Sequence, residues 1–363
     1  MSIAVYGQWN DYGSFSNVSR AIAIELLRKH FDVTIYGIGQ LNPVYLDVPV
    51  DVAFRNSALV GICISYPEVA PSWLAGHPVK ILITVCETDK IPRSWVDACN
   101  MCDLIVVPSQ WCLDAFVNSG VKKRVIVVNH GISSDLLGPC TRLPKDPLKF
   151  LHVSGSLSFS ARKGTAKIFR AWQRMSETLE SKTPRLLLKL HNTEGTQAAI
   201  DAAGIRAYIE LLPQPTMSPV VMGQLLRYVD GVIQPSRAEG FGLLPLEARC
   251  VGTPSLLTSV TGHAEHFSTL VDCVVPTGTS KLLETQANPV GSAPTLRTED
   301  VYQAIIKFIA NIEQAKRATV QWALHNAKNW TWDKVLTPLI KELKLLDVKE
   351  RITLGGDAGL RGA

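Results

Sequence analysis

The chain has 363 residues, 46% of them hydrophobic, and a formal net charge of +5. That length makes two domains the natural expectation, and the apolar content suffices for two cores, which excludes a disordered or fibrous class. No apolar run reaches the roughly 18–20 residues of a membrane-spanning helix, and Met1–Gly7 enters a strand-like run with no basic segment before it, so a cytoplasmic protein without signal peptide or anchor is expected. The mild excess of positive charge suits anionic ligands such as nucleotide diphosphates, and equally nucleic acid or an acidic membrane surface. The densest basic run, Lys122-Lys123-Arg124, reads as a solvated loop.

In chain order, Ile3–Tyr6 is a strand and Gln8–Ser16 a loop containing Gly13. Asn17–His30 follows as a helix with Val18, Ala21, Ile22 and Leu26 on its inner side. Asp32–Gly37, Val60–Ser65, Lys80–Val85, Leu104–Val107 and Val125–Val128 are further β-rich runs. The polar, Pro-containing stretch Thr141–Pro147 is the linker candidate. Strands resume at Lys149–Val153, Arg185–Leu190, Tyr208–Leu212, Gly231–Gln234 and Pro254–Thr258, with helical patterns at Thr165–Leu179 and Ser218–Tyr228. Asn329-Trp-Thr-Trp-Asp333 opens a last helix to about Leu345, and 351–363 reads as a flexible tail. The alternation predicts an α/β protein with two parallel-sheet domains, 1–145 and 146–332, the helix at about 333–350 returning to the first. Asp103-Leu-Ile-Val-Val-Pro-Ser109 echoes Asp230-Gly-Val-Ile-Gln-Pro-Ser236, which favours two similar halves facing each other.

Eight scattered cysteines, most of them in apolar stretches, are expected as buried free thiols. Cys99-Asn-Met-Cys102 has metal-ligand spacing but no second ligand pair, so a helix end packed on the next strand is the expected state.

The sharpest segment is Gln234-Pro-Ser-Arg-Ala-Glu-Gly-Phe-Gly-Leu-Leu-Pro-Leu-Glu-Ala248. Glu239 falls at the carboxyl end of a strand, where ligands bind in open α/β sheets. Gly240 and Gly242 free the backbone for close approach by a ligand, and the helix from Leu243 offers unpaired N–H groups to phosphate oxygens. Glu247, two turns on, is placed to accept hydrogen bonds from paired sugar hydroxyls.

With this segment the chain resembles the GT-B retaining glycosyltransferases, specifically family 4 (glycosyl transferases group 1). Their signature is two glutamates separated by seven residues, matched by Glu239 and Glu247. The resemblance implies two facing Rossmann-like domains and a metal-independent transfer from a nucleotide-diphosphate sugar. It implies that Glu239, Gly240, Phe241, Gly242 and Leu243 border the donor and that Glu247 holds the ribose. Val153-Ser-Gly-Ser-Leu-Ser-Phe-Ser-Ala-Arg-Lys-Gly164 is similar to the strand-loop-helix that grips the diphosphate. Lys163 matches, but the family's arginine is replaced by Ser156, leaving Arg162 or the Ser156 hydroxyl or backbone N–H in its place.

Gly7-Gln-Trp-Asn-Asp-Tyr-Gly-Ser14 is similar to the family's first glycine-containing loop, with Gly13 as the point of close approach. Trp9 and Tyr12 are placed either to stack on an acceptor or to cover the core. Where many relatives carry a histidine, this chain has Cys86-Glu87-Thr-Asp89; Glu87 or Asp89 is positioned to bind sugar hydroxyls, assist the acceptor, or cap a helix. Val128-Asn-His-Gly-Ile132 resembles the closing strand-loop of the first domain, which implies a structural His130, and Thr261-Gly-His-Ala-Glu265 falls where relatives have a glycine-rich loop near the donor. The acceptor is expected among saccharides, small molecules or hydroxymethylated DNA bases. The competing readings are a non-catalytic sugar-nucleotide-binding protein and a GT-B epimerase or hydrolase.

Overall fold

The computed structural model describes residues 1–38, 58–155, 160–190, 195–212, 217–269, 272–283 and 290–346. Ser156 and the 351–363 segment lie outside them.

The β-rich runs assemble into two six-stranded sheets whose paired strands all run parallel. The first holds β1 (Ser2–Gly7), β2 (Asp32–Gly37), β3 (Val60–Ile64), β4 (Val79–Ile83), β5 (Leu104–Val107) and β6 (Arg124–Val127), in the order β2-β1-β3-β4-β5-β6. The second holds β7 (Lys149–Ser154), β8 (Arg185–Leu190), β9 (Ile209–Leu212), β10 (Gly231–Gln234), β11 (Ser255–Leu257) and β12 (Cys273–Val274), in the order β12-β11-β10-β7-β8-β9. A short antiparallel ribbon, β13 (Ser280–Leu282) with β14 (Ser292–Pro294), follows.

Parallel sheets need helices on both faces, so their strands are apolar throughout rather than alternating. The β3 sequence Val-Gly-Ile-Cys-Ile is buried at every position. Alternate residues feed different cores. Ile3 and Val5 pack with Ile22, Leu26, Ile62 and Ile81, whereas Ala4 and Tyr6 join Cys63, Leu82, Trp95 and Phe116 on the other face. Order reverses next to β1 in one sheet and next to β7 in the other, so each sheet presents a crevice at its carboxyl edge.

The echoed motif has a shared mechanical role. Asp103 accepts the Lys80 N–H at the start of β4 (2.9 Å), and its own N–H donates to the Lys80 carbonyl (2.8 Å). Asp230 does the same with Lys149 at the start of β7 (2.8 and 2.7 Å). In each half an aspartate sets the register of one strand against its neighbour.

The first helix spans Ser14–Arg28, three residues earlier than the expected start, and ends before His30, whose φ of 63° cannot continue it. The terminal segment is not one helix: a 3₁₀ turn at Ala327–Trp330 precedes Trp332–Val335, and a turn at Leu336 separates this from residues 337–346. Leu336, Leu339, Ile340 and Leu343 recur at helical spacing and lie in the core of the first sheet, so the chain end does return there. Arg124 is not part of a solvated loop; it opens β6 and donates twice to Glu342, both at 2.7 Å. All eight cysteines are free, Cys99 and Cys102 buried among them. Among the described residues, no helix is long and apolar enough to cross a membrane.

Leu343 is fully buried and Leu345 is 50% exposed. Leu343→Ala is therefore expected to lower unfolding stability by about 2–5 kcal/mol and Leu345→Ala by less than about 0.5 kcal/mol, read as urea midpoints.

Candidate active site

The carboxyl edges of the two sheets enclose a cleft of about 520 Å³, within the usual range for small-ligand sites. From the first half it is lined by Asp11, Tyr12, Gly13, Tyr66 and Glu87, and from the second by Gly155, Arg162, Lys163, Lys189, Glu239 and Glu247.

At its centre lies a charge cluster. The Lys163 ammonium meets Glu239 Oε1 at 2.5 Å, and Arg162 Nη1 meets Oε2 at 3.1 Å and the Ala238 carbonyl at 2.8 Å. The outer face of the Arg162 guanidinium reaches Glu87 Oε1 at 4.0 Å, which brings an acid of the first half to a base of the second. Burial alone pushes the Glu239 carboxyl up, but Lys163 and Arg162 outweigh it and hold the group well below the usual carboxylate range. Glu87 Oε2 is buried and has no hydrogen-bond partner among the described residues.

The backbone explains how these side chains meet. Gly164 has φ 77°, and a Cβ there would sit 2.8 Å from the Pro235 carbonyl oxygen. Only glycine lets the Arg162-Lys163 turn lie directly over the end of β10. The Arg237 N–H donates to the Arg162 carbonyl (2.7 Å), and Thr261 Oγ1 accepts the Glu239 N–H (3.0 Å). Beneath the turn His152 bridges the Ile233 carbonyl and the Thr165 hydroxyl, both at 2.9 Å. Burial holds the imidazoles of His152 and His263 down to about 4, so both are neutral at pH 7.

Gly240 lines the cleft and has a further role: a Cβ at this position would lie 1.9 Å from Val85 Cγ2, so the facing half of the protein also approaches its backbone closely. Ser109 Oγ donates to the Gly240 carbonyl at 2.6 Å across the same contact. Gly242, at φ 85°, abuts His263. The Phe241 side chain is buried, its ring against those of His266 (5.0 Å) and His130 (5.3 Å). Leu243 lines the cleft at the start of helix Leu243–Cys250.

The acceptor-side expectations are partly overturned. Trp9 is 1% exposed, and its indole N–H donates to the Tyr36 carbonyl (2.8 Å), so it is a core residue and is not available for stacking. Asp89 is absent from the cleft lining; it accepts the Ser292 N–H at 2.6 Å and donates back at 3.2 Å, clasping β14. Gly13 lines the cleft with an ordinary extended backbone, φ −66°, so its conformation does not demand glycine. Tyr12 lines the cleft with the Arg20 guanidinium 4.9 Å from its ring centroid.

Lys189 is a cleft residue that escaped the sequence reading. It is the next-to-last residue of β8, Arg-Leu-Leu-Leu-Lys-Leu, and a charge after three leucines inside a strand was the available signal. It is 8% exposed and its charge acts on Glu247. His263, in the Thr261–Glu265 loop singled out in the sequence, lines the cleft and packs under Gly242.

A family model described as Family 4 Glycosyltransferase in conflict systems matches residues 113–339. The chain belongs to this family. As a family 4 glycosyltransferase it shares its fold with solved structures of low sequence identity. Anabaena HepE in complex with UDP-glucose superposes with a TM-score of 0.70 at 13% identity, over 95% of this chain and 99% of that one. Sucrose-phosphate synthase from Thermosynechococcus elongatus gives 0.69 at 14%, over 96% and 100%. WaaG, a glycosyltransferase involved in lipopolysaccharide biosynthesis, gives 0.61 at 13%, over 93% and 99%. The two-sheet architecture is the GT-B fold. No curated protein matches the chain in sequence.

Two outcomes follow from this geometry. Gly240→Ala in the transferase is expected to cost about 1–3 kcal/mol through overpacking, and Val85→Ala in the same chain to recover much of that loss, measured by thermal unfolding. Burial raises the Glu247 carboxyl to about 7 against the pull of Lys189. Its contribution is fully present below the unfolded value of 4.5 and is lost as pH rises through 7. The melting temperature of Glu247→Gln should therefore gain on that of the parent between those limits and level off above, the total being at most roughly 3 kcal/mol at about 1.4 kcal/mol per pKa unit.

Proposed function

We propose that this glycosyltransferase moves a glycosyl group from a nucleoside diphosphate sugar to an acceptor hydroxyl with retention of configuration. The observation that carries the reading is the buried cluster of Glu239 with Lys163 and Arg162, set where the carboxyl edges of the two sheets meet. In the reaction, the bond between the anomeric carbon and the diphosphate oxygen breaks, and its electron pair stays on that oxygen. Lys163 and Arg162 stabilise the developing negative charge, so leaving-group stabilisation is assigned to these two side chains and not to a metal ion. The acceptor oxygen bonds to the anomeric carbon on the face the diphosphate leaves, and its proton passes to a phosphate oxygen.

Glu239 accepts from the sugar hydroxyls once a phosphate takes its place beside the two cations. Glu87, whose Oε2 is buried and unpartnered among the described residues, accepts a further hydroxyl and stands where the family's histidine is missing. Glu247 holds the ribose, and the first N–H groups of helix Leu243–Cys250 face the diphosphate. Two of the similar structures contain UDP with glucose or UDP-glucose, and a third, a pneumococcal O-GlcNAc transferase, contains UDP and GlcNAc. UDP-glucose and UDP-GlcNAc are thus the donors to try first.

Donor binding by calorimetry, followed by mass spectrometry of saccharides, small alcohols and hydroxymethylated DNA incubated with donor, tests the reading. Glu239→Gln and Lys163→Ala should each cut turnover on the order of 100-fold or more, as expected for loss of preorganised charge, while EDTA leaves it unchanged. Proton NMR should show an α-linked product from an α-linked donor. Near-parental transfer by either variant, or a β-linked product, would overturn the assignment.

A further inference from the structure

A second, smaller pocket opens off the cleft on the side of the first sheet. It is lined by Phe15, Val18, Ile64, Ile83, Val85 and His130, with Ser14 at the start of the first helix. Ser14, Phe15, Val85 and His130 also line the main cleft, so the two spaces are continuous. The pocket measures about 40 Å³. A water molecule needs roughly 10–15 Å³ of such space, so there is room for about three or four heavy atoms.

Its walls are mainly apolar; the polar side chains among them are Ser14 and His130, both shared with the main cleft, and Thr84, which follows β4 and is 3% exposed. All of the lining belongs to the first half of the molecule, whereas the cations of the cleft belong to the second. Val85 ties the two together: it lines the pocket and packs on Gly240, the residue after Glu239. The pocket wall is thereby packed on the loop that carries Glu239. A fully hydroxylated sugar face would bury its hydroxyls against these walls without partners.

We propose that this pocket is an acceptor subsite for a short alkyl group of about three or four heavy atoms. The assignment rests on the transfer reading above for the word acceptor; the pocket's preference for an alkyl group does not. It narrows the acceptor class to alcohols or glycosides that carry a small aliphatic portion next to the oxygen-bearing carbon.

The test is saturation-transfer NMR of the full chain with butyl β-D-glucopyranoside, against methyl β-D-glucopyranoside. Saturation should be strongest on the terminal butyl protons, and the butyl glycoside should bind roughly tenfold tighter or more, since each buried methylene adds affinity. Val18→Phe, which fills the pocket, should erase both effects while UDP binding by calorimetry stays at the parental level. If Val18→Phe does not fold, the milder Val18→Met should reduce both effects in the same direction with UDP binding unchanged. Equal affinity for the two glycosides, or a butyl signal unchanged in the pocket-filling variant, would overturn the proposal. UDP binding without a butyl preference sinks the subsite alone; a butyl preference without UDP binding sinks the nucleotide-sugar reading and leaves the subsite standing.

Discussion

A buried carboxylate held between two half-buried cations is the constraint around which the rest of the molecule is arranged. Charges so far withdrawn from solvent are tolerable only when paired at short range. Pairing them requires the turn at 162–164 to lie on the end of β10, which Gly164 permits and the Arg237–Arg162 hydrogen bond secures. The neutral His152 beneath adds two hydrogen bonds and no competing charge. The carboxylate is then a counter-ion for cations that would otherwise repel each other. In the proposed reaction a diphosphate, which carries the same sign as Glu239, takes over that role and releases the glutamate for neutral hydroxyls.

The second constraint acts between the halves. Val85 on Gly240, Ser109 on the Gly240 carbonyl, Asp89 on Ser292, and Glu265 with both the Gln110 N–H (2.8 Å) and the Asn129 amide (3.0 Å) form a band across the cleft floor. These contacts bring Glu87 to 4.0 Å from Arg162 and so complete the cluster with an acid from the other sheet. They also give Asp89 a job that differs from ligand binding and Gly240 one in addition to lining the cleft. An aspartate at a strand end and a glycine in a turn carry the same local signature whether the partner is a sugar or another segment of the chain.

Much of the architecture was legible without coordinates. Apolar runs such as Val60–Ile64 and Leu104–Val107 have no polar face, so they belong in sheets covered on both sides, and helical patterns between them imply parallel strands. The repeated Asp–strand–Pro–Ser pattern was visible in both halves, and its aspartates prove to clamp Lys80 and Lys149 in the same way. Helix ends were less legible. The first helix extends back to Ser14 although its apolar periodicity starts later, because Gly13 ends the loop with an extended backbone that lets the helix begin at once. Trp9 was open between stacking and core because an aromatic residue after a strand suits both, and only the Tyr36 carbonyl within reach of its indole N–H decides for the core.

By itself the sequence determined the fold class, the family, and the two segments that supply the charges of the cleft, because each depends on residues close together along the chain: a strand, a glycine turn and a helix start, in register. The tertiary structure decided which residues share a space. It placed Glu87 against Arg162, Lys189 near enough to act on Glu247, Val85 under Gly240, and Thr84 at the edge of an apolar pocket. These pairs come from segments distant in sequence or from opposite halves, and their distances are set by how the sheets and the interface between them pack.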